Sequence, residues 1–248
     1  MAKNILWTGG WDSTFRILDL VLTKKESVQP FYILDSDRNS TPLELETMDK
    51  IKKLIIEKDP ESKDRILDHI MISINKIPIN EKITNDYSYL QTLSHLGSQY
   101  DWLARYADSM QMNNIELCIH LDDKAEFFIK NDVELIKNDA DSYYKLKDKP
   151  SKSELRIFSY FHFPLLKMTK LEMGETAKKN GFHHIMEETW FCFNPKKDGT
   201  PCGMCNPCKY TREEGLGRRV PDPAFLMKLN KKVKGKLSDL KRKLKYFN

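Results

Sequence analysis

Near its start the chain reads ILWTGGWDST, a short apolar run that passes through paired glycines, Gly9 and Gly10, straight into a helix-like segment. A strand that turns so tightly into a helix marks the opening of a βαβ unit, since parallel neighbours are reached only through a crossover. The rest of the chain keeps that rhythm. Apolar runs at 4–7, 30–34, 65–77 and 115–121 alternate with stretches at 13–23, 43–58, 87–112 and 124–137 whose apolar residues recur every three or four positions. The expected product is an α/β fold, a doubly wound parallel sheet with helices on both faces. Residues 139–155 are polar and contain Pro150, which predicts a loop or flap; an apolar run at 157–166 and a helix at 169–180 ending before Gly181 follow.

A chain of 248 residues with 40% hydrophobic content can bury a full core without help from disulfides or metal. No run approaches the ~20 apolar residues of a membrane span, and MAKNILWTGG lacks the apolar stretch of a signal peptide, so the expected compartment is the cytoplasm. Thiols are reduced there, which favours metal-binding or inert roles for the five cysteines. The net charge of +5 is concentrated: residues 222–248 carry nine Lys and Arg against two Asp, leaving the remainder slightly acidic. The body of the protein is therefore not marked as a nucleic-acid binder. Leu226, Leu229, Val233, Leu237, Leu240, Leu244 and Phe247 recur at helical spacing in that tail, which predicts an amphipathic helix docked on its own domain or engaged in self-association.

Two motifs carry chemistry. At the strand-to-helix turn, unpaired backbone N–H groups and glycines that let an anion approach closely favour phosphate. Thr8, Ser13 and Thr14 add hydroxyls, and Asp12 is placed to hold Mg²⁺ or orient the loop; the alternative is a plain helix cap by Asp12 or Ser13. Farther on, Cys192, Cys202, Cys205 and Cys208 form C-x9-C-x2-C-x2-C, with Gly199, Pro201, Gly203 and Pro207 supplying turns. Four thiolates close a tetrahedral shell with no open position, which predicts structural zinc; an iron–sulfur cluster uses the same ligands. Cys118 in IELCIHL is expected to be an inert core residue. His183 and His184 at an expected strand entry, and Glu187 and Glu188, are taken as structural or surface residues.

Together the two motifs resemble the 7-cyano-7-deazaguanine synthase family of the queuosine pathway, a branch of the PP-loop ATP pyrophosphatases whose loop reads SGGxDS/T. TGGWDST differs from it only in its first residue, FHFPLLKMTKLEMGETAKKNGFHHIMEETWFCF is similar to the family's C-terminal half, and CGMCNPCKYTREEGL is similar to its CGxCxxCxxRxxG signature. The likeness extends over residues 3–219. It implies a Rossmann-like adenine nucleotide alpha-hydrolase fold with a C-terminal zinc knot, organised as a catalytic domain at 1–219 including the zinc loop at 192–208, and a basic tail at 220–248. It further implies that Thr8, Gly9, Gly10, Asp12, Ser13 and Thr14 hold the phosphates of ATP, that Lys170 neutralises them, and that Asp35, aligned with a family aspartate, lines the site; turn capping is the other role open to Asp35, and a solvated first-turn position to Lys170. Asp12 and Lys170 are the catalytic candidates. The implied cofactors are ATP, Mg²⁺ and Zn²⁺.

The middle departs from the family. LGSQYDWLARYADS keeps only Gly97 of the expected stretch, and HLDDKAEFFIKND replaces the segment that in the family faces the base. The resemblance implies a ligase that adenylates 7-carboxy-7-deazaguanine, releases pyrophosphate and passes the acyl group to ammonia. The altered segment leaves two relatives of that reaction open: conjugation of a deazaguanine to a protein amine, as proposed for synthase-like proteins of antiviral gene clusters, and a tRNA-modifying PP-loop enzyme. Against the last, four cysteines are committed to one metal. A non-catalytic scaffold that keeps the fold is a further class, and family members are often homodimers.

Overall fold

The computed structural model describes residues 2–121, 123–138 and 141–222. The basic tail beyond 222, with its predicted helix, lies outside them. The chain divides into two compact units, Met1–Trp190 and one beginning at Phe191. No helix among the described residues is long and apolar enough to cross a membrane.

In the first unit the elements run in the order β1 (Lys3–Leu6), α1 (Trp11–Leu18), β2 (Val28–Leu34), α2 (Thr41–Lys58), β3 (Ile70–Ser73), α3 (Glu81–Leu93), α4 (Gln99–Ser109), β4 (Ile115–Glu116), α5 (Glu126–Ile129), β5 (Val133–Lys137), β6 (Ser142–Leu146), β7 (Phe161–Phe163), α6 (Lys170–Lys179) and α7 (His183–Met186). The strands form one seven-stranded sheet in the order β3-β2-β1-β4-β7-β6-β5. The first five are parallel, and β6 and β5 close one edge antiparallel. The chain winds outward from β1 through β2 to β3, then returns to lay β4 on the other side of β1, so the winding reverses between β1 and β4. That reversal opens a crevice at the carboxyl ends of the two strands, where α/β sheets bind ligands. The predicted doubly wound α/β architecture is what the chain adopts.

Both faces are covered. On one, α3 and α4 bring Leu90, Leu103 and Ala107 into a core with Leu6, Phe31, Ile115, Phe161 and Phe163 of the strands. On the other, α1 packs with α6 and α7, and α7 with α2. The element that fixes α1 is a charge. Arg16 is 2% exposed, and its guanidinium forms a two-pronged pair with Glu116 of β4, both N···O distances 2.7 Å. Its remaining face meets Asp141, just before β6, which also receives Lys24 at 2.6 Å and Lys3 at 3.3 Å. Burial alone would push the Asp141 carboxyl up; the hydrogen bonds from Arg16 and Lys24 outweigh it and hold the group well below the usual carboxylate range.

Four expectations need correction. The helix expected over 87–112 is two helices, because Ser94 ends α3 and the intervening turn tucks Leu96 into the core, its carbonyl receiving the Tyr87 hydroxyl and the Gln91 amide. The helix expected over 124–137 is only the short α5. Asp132 turns the chain, receiving the backbone N–H and hydroxyl of Ser151, and the remainder pairs as β5. A few apolar residues satisfied both periodicities, and long-range pairing decided between them. The loop expected over 139–155 contains β6, whose Tyr143 stacks on His162 of β7. His183 and His184 open the helical turn α7 instead of a strand.

Replacing Arg16 by Met strands two buried carboxylates and is expected to cost about 3–5 kcal/mol in chemical denaturation at neutral pH. Because Asp141 titrates below its ordinary value of 3.8, its stabilisation is complete at neutral pH and declines as the pH falls below about 4. The wild type should lose stability steeply there, and the Arg16→Met variant less so.

Candidate functional site

The turn after β1 is built by its glycines. Gly9 has φ +72°, and a Cβ there would stand 3.0 Å from Thr47 Cγ2 and 3.3 Å from Met48 Cγ of α2. Its carbonyl receives the N–H of Trp190 at 2.9 Å. Gly10 is the N-cap of α1, and no side chain caps that helix. The cap role considered for Asp12 or Ser13 is therefore not taken up, and the first-turn N–H groups remain directed at the crevice, the arrangement that favours an anion.

The candidate residues fall into separate environments. Thr8 is exposed, Gly10 is half-buried and Ser13 is nearly buried beside them. Thr14 faces the core, with no exposed surface, and its hydroxyl accepts the Trp7 indole N–H at 2.9 Å. That bond supports the turn from below. Asp35, at the carboxyl end of β2, accepts the N–H of Asp37 at 3.1 Å on its side chain and the Thr41 hydroxyl at 2.7 Å on its carbonyl. Turn capping is thus the role its contacts express.

Asp12 and Lys170 do meet. Lys170, the first residue of α6, brings Nζ to 3.6 Å from Asp12 Oδ2 across 158 positions of sequence. The helix start that carries it is set locally by a capping box, Thr169 with Glu172. Its seat on α1 is set by Trp11, whose indole N–H donates to the Lys170 carbonyl at 3.2 Å and whose ring lies 3.5 Å from where a Cβ on Gly174 would be.

Three further residues join this pair. His120, 2% exposed just past β4, places Nε2 3.8 Å from Asp12 Oδ1. Asp123 follows it, receiving the Ala125 N–H at 2.7 Å, with the Tyr100 side chain from the start of α4 beside it. Burial pushes the Asp123 carboxyl up against the pull of His120 and the Ala125 N–H, and burial and the Asp123 charge push the Tyr100 phenol well up. The carboxyl ends of three adjacent parallel strands, β1, β4 and β7, therefore deliver Asp12, His120 with Asp123, and Lys170 to one place. Trp11, Tyr100, His120 and Asp123 were missed as functional residues by sequence reasoning. The available signal was that HLDD follows an expected central strand, where ligands bind.

In the second unit, the four candidate thiols lie within 4.8 Å of one another. The Cys192–Cys205 and Cys202–Cys208 separations are 3.8 and 3.9 Å, against about 3.8 Å for sulfurs around a tetrahedral ion with bonds of about 2.3 Å. Gly203 at φ +78° makes the knuckle, and the N–H groups of Met204 and Cys205 point at Cys202 Sγ from 3.4 and 3.3 Å. Burial opposes ionisation of Cys202, yet these N–H groups bring its thiol down to about 7, while burial drives Cys192 up to about 11. Four thiols in mutual contact ionise together only around a cation, so the donor set fits zinc. Arg212 ties the knuckle to the chain's continuation, donating to the carbonyls of Gly203 and Pro221. Cys118, in the first unit, is partly buried, and burial holds its thiol well above the ordinary value.

Comparison with known proteins agrees with the motifs. The family model for the queuosine biosynthesis protein QueC matches residues 100–219. The chain is 31% identical over 64 residues to 7-cyano-7-deazaguanine synthase 1 of Sphingopyxis alaskensis, covering 26% of this chain and 28% of that protein. It is 32% identical over 62 residues to the 7-cyano-7-deazaguanine synthase of Rhizorhabdus wittichii, covering 25% and 26%. These matches span about a quarter of either relative. A third, to the 7-cyano-7-deazaguanine synthase of Geobacter sp. strain M21, is 24% identical over 235 residues and covers 91% of this chain and 97% of the relative. The resemblance read from the two motifs is borne out.

Purified without added metal, the protein should carry about one zinc per chain by elemental analysis and no visible charge-transfer band. Cys208→Ser should bring the zinc content close to zero; iron with absorbance near 400 nm would replace the zinc assignment by a cluster.

Proposed function

We propose that this relative of the 7-cyano-7-deazaguanine synthases is an ATP-dependent enzyme that adenylates a 7-deazaguanine carboxylate and passes the acyl group to an amine. The observation that carries the reading is the meeting of Asp12 and Lys170 at an uncapped helix N-terminus, in the crevice where the sheet reverses its winding. An ordinary helix cap needs neither the lysine partner nor the reversal.

The chain's own groups divide the work. Gly9 and Gly10 admit phosphate oxygens to the backbone, and the first-turn N–H groups of α1 and the hydroxyls of Thr8 and Ser13 hold them. Lys170 stabilises the charge that gathers on departing pyrophosphate. The substrate carboxylate forms a bond to the α-phosphorus as the bond to the pyrophosphate oxygen breaks. The amine nitrogen then attacks the acyl carbon, AMP leaves with the electron pair, and the nitrogen sheds its proton. With ammonia the product is an amide, which a second ATP dehydrates to the nitrile. No side chain is required as nucleophile, so rate comes from positioning and charge. Mg²⁺ would be held at Asp12 and would supply further charge neutralisation of the phosphates. Zn²⁺ at the four cysteines would be structural, since their shell is closed.

The acceptor is the open variable within this reading, with His120 and Asp123 standing beside Asp12 in the crevice. A sulfur-transfer reaction on tRNA is not favoured, because four of the five cysteines are gathered in one cluster that a single metal would occupy.

Incubation with Mg-ATP, 7-carboxy-7-deazaguanine and ammonium, followed by mass spectrometry, should yield AMP, pyrophosphate and the nitrile. AMP with an arrested adenylate or amide would direct the search to a protein amine; absence of AMP with this acid would overturn the deazaguanine assignment. Lys170→Ala should lower kcat by about 10²–10³.

A further inference from the structure

The two edges of the sheet are guarded differently. β5, at one end, exposes Glu134 and Lys137, and charges of this kind keep a sheet from adding strands. β3, at the other end, reads IMIS and carries no charge. Half of a strand's N–H and C=O groups point away from its neighbour, and among the described residues no strand pairs with β3 on the side away from β2. Apolar side chains stand exposed there on both faces of the sheet: Ile70, in register with Phe31, at 40%, and Met71, in register with Tyr32, at 55%. Leu67, just before the strand, is 41% exposed. An uncharged, apolar, unpaired edge is a template for another strand.

We propose that this edge is an interface between two copies of the chain, joined antiparallel at β3 about a two-fold axis, so that the sheet continues from one copy into the other. The charges that bracket the strand select this occupant. Asp68, with its side chain fully exposed, precedes β3, and Lys76, also exposed, follows in the turn Ile74–Lys76. An antiparallel copy presents these ends in the opposite order, so each acid meets the other copy's base; a parallel one would set acid on acid. The Lys52 ammonium already lies 3.5 Å from Asp68, and a carboxylate so open to water accommodates a second cation. The pleat limits the register. A two-fold axis normal to the sheet keeps each face on its own side, so residues that face each other must be an even number of positions apart. Centred on Ile72, the pairing sets Met71 against the second copy's Ser73 and brings Asp68 to its Lys76. Ile72 and Ile74 pack on the core, which holds the strand in place for this pairing. The helices add area beyond one short strand pair: α2 reaches the edge through Lys52 and Asp68, and α4 through Arg105, which donates to the Pro78 carbonyl at 3.1 Å.

The test is sedimentation equilibrium of the full chain over a range of concentrations, with circular dichroism to confirm that each variant folds. The wild type should be a dimer at micromolar concentration. Met71→Asp buries a charge without a partner in the joint and should weaken association about a hundredfold or more. Asp68→Lys and Lys76→Asp should each weaken it about threefold or more, since each sets like charges together at both ends of the joint. Combined in one chain, the two exchanges restore opposite charges and should bring the affinity back to within about twofold of wild type. That recovery holds the proposal to account even if Met71→Asp does not fold. A monomer at every concentration would overturn the inference. So would a dimer that Met71→Asp leaves intact, which places the contact on another surface, or a double variant no tighter than the single ones.

Discussion

The buried guanidinium of Arg16 is the constraint on which the active end depends. It joins α1 to β4 through Glu116 and to the start of β6 through Asp141, adding direction to the apolar packing of the helix on the sheet. Apolar contact would allow α1 to slide or rotate by fractions of a turn, whereas a two-pronged guanidinium–carboxylate pair fixes both height and azimuth. Since α1 begins at the glycine turn, its azimuth decides where the first-turn N–H groups and Asp12 point. Interior charge is an expensive way to gain such definition, and the surrounding ligands explain how it is sustained: Asp141 is shared among three cations, Arg16, Lys24 and Lys3.

Local chemistry was legible in the sequence wherever a residue's role is settled by its neighbours. Gly9 is needed for its positive φ, Gly181 follows α6 at φ +71°, Thr169 and Glu172 box the start of that helix, and the cysteine spacing forms a cluster within one loop. The errors lie where distant partners decide. VELIK became a strand because SYYKL was available to pair with it, and SYYKL, polar enough to read as a loop, became a strand because it lies between two others. The bond from the Trp7 indole to the Thr14 hydroxyl, too, has no signature in the spacing of the loop. His120 and Asp123 carry no spacing signature, and their significance comes only from standing opposite Asp12 across a sheet reversal.

The two chemical centres illustrate different strategies for placing polar groups. In the cysteine cluster every thiol lies within seventeen residues of sequence, and turn geometry brings the sulfurs together. In the crevice, no two of Asp12, His120 and Lys170 share an element, and each is delivered by the end of a different strand. Their separation lets each be supported by its own part of the core, which makes the arrangement rigid. It also allows the segment after β4 to vary without disturbing the segments after β1 and β7.

The pairing of β1 with β4 carries a consequence for how the protein is made. These neighbours are more than a hundred residues apart, as Ile5 and Glu116 in register attest, and Lys170 comes later still. Translation at roughly 5–20 residues per second releases the glycine turn many seconds before its partners exist. A nascent chain can form its first helix early, but the crevice end is complete only after most of the domain has left the ribosome. Loop closure over such a span makes central-sheet assembly the slow event of folding. A chain released prematurely would expose the unpaired flank of β1, so the same topology that concentrates chemistry at the sheet's middle makes that middle the last place to be sealed.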